Sequence, residues 1–246
     1  MTAIDVKGRN FMAFEITSKR RSGESGRDYA YRILRRNIMQ FQLKPGDLLN
    51  EAELSEQLGM SRTPIHEALI LLRNEELVDI LPHRSSTVSY ISLKYIREGC
   101  FMRQILESAM IEELAGTLSA DQMEMFKENI KKQEEELALH VDKISDDFFE
   151  LDDELHRLLY KFSHRERIWS AMHGLNAHYD RIRYLDTLVN AVDQMQILEQ
   201  HKSLYYYLLM GIPFNVDVSK FIEMHQGRFL ADFPKTVAAY PEYFVD

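Results

Sequence analysis

The sequence predicts a mainly α-helical chain in which an N-terminal winged helix-turn-helix is followed by an antiparallel six-helix bundle. Three observations carry this reading. Residues 51–73 form two helical periods that meet at Gly59. Two β-type runs, 77–81 and 87–91, then flank Pro82-His83-Arg84-Ser85-Ser86, the pattern of a hairpin. From residue 93 onward, apolar residues recur at helical spacing with almost no strand signal.

Residues 1–25 are polar, include Lys19-Arg20-Arg21 and a Ser/Gly stretch, and show no sustained period, so they read as a flexible arm. The winged domain spans 26–92. Its first helix, 28–39, turns Ala30, Ile33, Leu34 and Ile38 inward and Arg32, Arg35 and Arg36 outward. Pro45-Gly46 forces a turn before the next helix, where Leu54 and Leu58 share a face. Gly59 supplies the tight turn, and Ser61 or Thr63 is placed to cap the second helix, with Pro64 in its first turn. Ile65, Ala68, Leu69 and Leu72 then face inward, while Arg62, Thr63, His66 and Glu67 face out at the N-terminal end. Donors there are what a recognition helix presents to base edges and phosphates in a major groove. Two helices joined by Gly also occur in all-α proteins that read no DNA. The following hairpin, with His83 and Arg84 at its tip, is what turns the unit into a winged helix. The candidate DNA-contacting set is Arg32, Arg36, Ser61, Arg62, Thr63, His66, His83 and Arg84.

A net charge of −9 looks wrong for such a partner until it is divided along the chain. Residues 1–92 hold 13 Lys+Arg against 12 Asp+Glu, so the acid belongs to residues 93–246, with 17 against 27. A local basic face, not the global charge, sets attraction to phosphate. No run approaches the roughly 18 apolar residues of a membrane helix. No secretory signal is evident at the N-terminus. The one cysteine, Cys100, excludes an intramolecular disulfide framework and reads as a small buried apolar residue, so the expected compartment is the cytoplasm.

Six helices are expected near 93–118, 120–141, 146–163, 166–184, 190–210 and 218–233, joined by short connections that make neighbours mostly antiparallel. The aromatic tail Tyr240, Tyr243 and Phe244 is expected to dock on the surface or on a partner. Lys131-Lys-Gln-Glu-Glu-Glu136 reads as an exposed, charge-laced face. In the third of these helices Asp152 and His156 stand four residues apart, on one face. His201 and His225 lie on the fifth and sixth. One Asp and three His projecting inward from three helices would make a mixed oxygen and nitrogen site for a divalent metal. Taken alone, the D-x₃-H pattern more commonly marks a solvated pair than a ligand pair. Asp153, the competing carboxylate, points about 100° away. His140, His164, His173 and His178 fit surface or helix-end roles better, although His178 could also support the ligands from behind.

Lys44-Pro45-Gly46-Asp47-Leu48-Leu49-Asn50-Glu51, then Leu54-Ser55 and Leu58-Gly59-Met60-Ser61-Arg62-Thr63-Pro64-Ile65-His66-Glu67-Ala68-Leu69, then Glu76-Leu77-Val78, resembles the DNA-binding domain of the GntR family of bacterial transcription regulators. The family generally has Arg where this chain has His66, which makes operator affinity expected to rise as pH falls toward about 6. Phe148 to Tyr160, then Glu199-Gln200-His201, Gly211 and Met224-His225, is similar to the ligand-binding (FCD) domain of the FadR branch. Six expected helices match its VanR-like subgroup. The resemblance implies Zn, Ni or Mn held by Asp152, His156, His201 and His225, and a small organic acid bound beside it. It also implies that Arg103 is directed at the acid, with Arg183 a second candidate. Pairing of Arg103 with Glu107 on its own helix stays open beside that role.

The chain is therefore expected to be a dimeric regulator, and no enzyme, that binds a pseudo-palindromic operator under control of an acid effector. A metal-dependent enzyme would need a base or nucleophile beside the metal, and none is convincingly placed. A DNA-binding protein whose bundle merely dimerises remains the other alternative.

Overall fold

The computed structural model describes residues 3–4, 10–11, 16, 18–80, 86–140, 145–189 and 194–246; the side chains of 3–4, 10–11, 173–174, 194 and 227–232 are outside the description. The expected wing tip, with His83 and Arg84, lies outside the described residues. Among the described residues no helix is long and apolar enough to cross a membrane. The chain divides into two compact units: residues 1–96, 173–185 and 237–246 form the first, and 97–172 and 186–236 the second.

In the first unit β1 (Ala3–Ile4) pairs antiparallel with β2 (Asn10–Phe11). Helix α1 (Gly26–Met39) follows, capped by Ser25, whose Oγ accepts the Asp28 N–H at 3.0 Å. Strand β3 (Leu48–Leu49) leads into α2 (Glu51–Leu58), where Asn50 Oδ1 accepts from Ala52 N. Gly59 ends α2 with φ +64°, a left-handed conformation that costs a residue with Cβ roughly 1 kcal/mol or more. Helix α3 (Arg62–Asn74) starts at Ser61 without a side-chain cap, so the expected Ser61 bond is not made. Strands β4 (Val78–Asp79) and β5 (Ser86–Val88) form the expected antiparallel hairpin. The sheet gains β3 on its other side, giving the order β3-β5-β4.

Ile33, Leu34 and Ile38 of α1, Leu54 of α2, Ile65, Ala68, Leu69 and Leu72 of α3, and Val78 and Val88 of the sheet form one dry core. Ala177 belongs to that core as well, because residues 173–185 pack with this unit. The aromatic tail docks here too. Strand β7 (Phe244–Val245) pairs in parallel with β6 (Ile91–Ser92), and Tyr243 stacks on Phe41 with ring centroids 5.8 Å apart.

The remaining helices are α4 (Leu93–Leu114), α5 (Ala120–Leu139), α6 (Asp146–Phe162), α7 (Glu166–Leu175), α8 (Ala177–Val189), α9 (Gln194–Met210) and α10 (Val218–Ala239). Seven helices thus stand where the periods predicted six. The expected helix over 166–184 is two, broken at Asn176, whose carbonyl accepts the Asp180 N–H at 2.8 Å as the N-cap of α8. That break removes the helix count on which the VanR-like subgroup rested. In the second unit α5 packs against both α6 and α9. Phe126, Phe148, Leu155, Leu159, Leu198, Leu204, Leu208 and Ile222 supply its core. Ser119 opens α5 with a full capping box to Gln122, and Ser145 caps α6 through the Phe148 N–H.

Candidate functional site

The second unit brings Asp152, His156, His201 and His225 together. All four belong to its buried interior, and one ligand atom from each lies within 4.8 Å of every other. The α-helical spacing of Asp152 and His156 puts both on the inward face of α6, which α9 and α10 meet with one imidazole each.

Each imidazole has one nitrogen turned out of the cluster to an acceptor. His156 Nδ1 lies 2.9 Å from Glu107 Oε2, His201 Nδ1 2.7 Å from Gln133 Oε1, and His225 Nδ1 2.9 Å from Gln200 Oε1. For His201 the proton can be assigned link by link. The Leu151 carbonyl only accepts, so Asn129 turns Nδ2 to it, at 3.0 Å. Asn129 Oδ1 then accepts from Gln133 Nε2 at 2.7 Å, which leaves Gln133 Oε1 facing His201 Nδ1. His201 must therefore carry its proton on Nδ1 and aim the Nε2 lone pair inward. At His156 the Glu107 carboxylate stands in the corresponding place beside Nδ1.

The inward atoms stand close to one another. His156 Nε2 stands 3.1 Å from His225 Nε2, and His201 Nε2 stands 3.2 Å from Asp152 Oδ1. Inward atoms at such distances can all turn a lone pair to one cation lying among them. Three imidazole nitrogens and one carboxylate oxygen are a donor set for a divalent first-row metal such as zinc, and outward N–H bonds to carboxylate and amide oxygens are how metal-bound imidazoles are oriented. The residues present fit such an ion. Burial, with His201 and His156 beside it, holds His225 well below the usual histidine range, which favours its neutral form.

Glu107 is the anion of this network. Burial alone would push its carboxyl up, but Arg103, whose Nε donates at 2.8 Å, and His156 outweigh that and hold it at about 2. Arg103 is thus paired through Nε with Glu107 on its own helix, and the other oxygen of Glu107 lies beside His156. Arg183, the second effector candidate, lies in the first unit, 3.6 Å from Asp180 and over the Tyr179 ring, whereas Arg103 and the cluster belong to the second. Sequence reasoning missed Glu107, Asn129, Gln133 and Gln200 as supports of the site. The run 131–136 is not uniformly exposed: Gln133 is fully buried, in step with Phe126, Asn129, Ile130 and Leu137 on the inward face of α5.

In the first unit Ser61, Arg62, Thr63 and His66 are all exposed on the outer side of α3, as a recognition helix requires. His66 Nδ1 lies 2.8 Å from Glu51 Oε1 of α2. Arg36 is exposed at the end of α1. Arg32 is not available as a phosphate ligand, because its Nε and Nη2 bind both oxygens of Glu24 at 2.8 Å. Arg35 is likewise turned to Glu75, at 2.9 Å, which also accepts from the Tyr31 hydroxyl.

Residues 27–88 match the family described as bacterial regulatory proteins, gntR family, and residues 98–211 match the FCD domain. Over 175 residues the chain is 35% identical to the HTH-type transcriptional repressor RspR of Escherichia coli K12, covering 71% of this chain and 75% of that protein. It is 29% identical to an uncharacterized HTH-type transcriptional regulator of Streptomyces ambofaciens, with 91% of each chain covered. Among solved structures, E. coli McbR/YncC superposes with a TM-score of 0.67 at 18% identity over 88% of this chain and 99% of that one. A GntR regulator structure from Rhodococcus sp. RHA1 gives 0.64, also at 18% identity, over 87% and 98%. These two likenesses speak for the fold. On its sequence relatives and its matched domains, the chain belongs to the GntR family of bacterial transcription regulators, proteins that bind DNA operators and are not enzymes, in the branch whose second part is an FCD domain.

Proposed function

We propose that the protein is a cytoplasmic, homodimeric repressor whose operator affinity is set by a small organic acid bound at a metal in the Asp152, His156, His201 and His225 cluster. The observation that carries this reading is the convergence of four possible ligand atoms in the second unit, each imidazole with its other nitrogen beside an oxygen outside the cluster. A divalent cation there, held by four protein atoms, would offer further coordination positions to an acid carboxylate. Repression is the direction carried by the name of RspR. Each subunit would place α3 in one half of a pseudo-palindrome, since two-fold protein matches two-fold DNA. The coupling is linkage: an acid that binds one arrangement of the dimer better, and DNA that prefers the other, must oppose each other's binding.

The test is selection of bound duplexes from a genomic DNA pool at near-physiological salt, followed by a screen of small organic acids for release of the enriched duplex. The expected result is an enriched pseudo-palindrome released by at least one acid from the wild type and by none from a His156→Ala/His201→Ala variant. Release of equal strength from that variant would put the effector elsewhere.

A further inference from the structure

Residues 18–25 are not a free tail. The Glu24 carboxylate is clamped by Arg32 of α1 and also accepts the Arg21 backbone N–H at 2.9 Å. Arg20 Nε donates to the Glu24 carbonyl at 2.6 Å, and the Tyr29 hydroxyl reaches the Ser18 carbonyl at 3.3 Å. One bidentate pair therefore fixes the whole segment against α1, and it consumes the segment's only negative charge. Lys19, Arg20 and Arg21 remain exposed, and among the described residues no carboxylate lies within ion-pair distance of them.

The place where they are fixed is informative. The segment runs into Gly26, and Gly26 abuts the recognition helix: a Cβ built there would stand 3.3 Å from Pro64 Cβ, in the first turn of α3. The segment that carries the three cations thus enters α1 beside the helix end that presents Arg62 and Thr63, and its Lys19 carbonyl is held by Arg32 further along α1. A positive, pre-ordered segment flanking a recognition helix fits the phosphate backbone of duplex DNA, where each contact displaces condensed counterions.

We propose that residues 18–25 are part of the DNA-binding surface, with Arg20 and Arg21, assisted by Lys19, lying on phosphates beside the half-site read by α3. The Glu24 and Arg32 pair is the clamp that holds them there. Arg32 thereby contributes as a positioning residue, through Glu24, and not as a phosphate ligand. The proposal rests on α3 being the reading helix.

The experiment is the salt dependence of affinity for sheared genomic duplex DNA, because phosphate contacts are independent of sequence. Each lost contact should flatten the slope of log affinity against log salt by about 0.9. Between about 50 and 200 mM salt, the wild type should therefore lose about tenfold more affinity than Arg20→Ala/Arg21→Ala. Arg20→Lys/Arg21→Lys should keep the wild-type slope, and both variants should melt like the wild type, since the side chains are exposed. Arg62→Ala is measured alongside. A slope that falls with Arg62→Ala but not with Arg20→Ala/Arg21→Ala overturns the arm contact and spares the recognition helix. A wild type without salt-dependent binding overturns both.

Discussion

Gln133 carries no charge, yet its amide oxygen obliges His201 to keep its proton on Nδ1 and to offer Nε2 to the cluster. The constraint is relayed from the Leu151 carbonyl through Asn129, so a neutral hydrogen-bond chain decides the chemistry of a ligand atom. Removing such an outer partner typically costs about 10–100-fold in metal affinity. Gln133→Leu should show a loss of that size in a zinc titration against a competing chelator, and Gln133→Glu, which keeps an acceptor, should show much less. Equal affinities would mean that the relay does not orient His201. A second residue makes a pH prediction in the first unit. His178 Nδ1 accepts the Ser92 N–H at 3.1 Å, and burial with Arg181 nearby lowers it to about 4. Glu76, 3.7 Å from Nε2, favours the cation, but its side chain is 41% exposed, and protonation of Nδ1 would break the Ser92 bond. A folded-state pKa below the ordinary 6.5 means that the unfolded chain binds the proton first. Full stability is present above pH 6.5 and is lost as pH falls toward 4, by at most about 3 kcal/mol. Urea unfolding of His178→Asn, which retains an acceptor, should show a smaller drop between pH 7 and pH 5 than the wild type does; parallel drops would contradict the assignment.

At the scale of elements, the α2 and α3 pair depends on a sharp reversal, and Gly59 makes it with positive φ and open space around its α-carbon. Gly59→Ala should therefore cost about 1 kcal/mol from backbone strain alone, with no clash to add to it. A urea midpoint unchanged from the wild type would show that the turn relaxes. The helix-turn-helix was legible in the sequence because every device in it is local: Asn50 and Gly59 at the ends of α2, and a 3.6-residue apolar period in α3. The residues of the cluster were legible for the same reason only in part. Asp152 and His156 share a helix turn, but His201 and His225 were joined to them by family resemblance, since no local pattern links residues from three helices. The break at Asn176 was missed although Gly174 and a good N-cap residue mark it, because apolar residues continue at helical spacing on both sides. Gln133 was hidden by the charges around it. A buried amide inside an acidic and basic run reads as surface until its spacing from Phe126, Ile130 and Leu137 is counted.

Over the whole molecule, charge and chemistry divide between two compact units. The first holds the recognition helix and the cationic segment, and the second holds the acid excess and the cluster. An ion bound by the native cluster and not by the unfolded chain stabilises the fold by mass action, by about 2.7 kcal/mol at a hundredfold excess over its dissociation constant. A chelator should therefore lower the thermal midpoint of the wild type and leave that of His156→Ala/His201→Ala where it was. The most direct measurement is the metal content of purified protein by elemental mass spectrometry, wild type beside that double variant. The account predicts one divalent ion per wild-type chain and essentially none in the variant. A wild type that takes up no metal even when zinc, nickel or manganese is supplied, or a variant that retains a full complement, would contradict it.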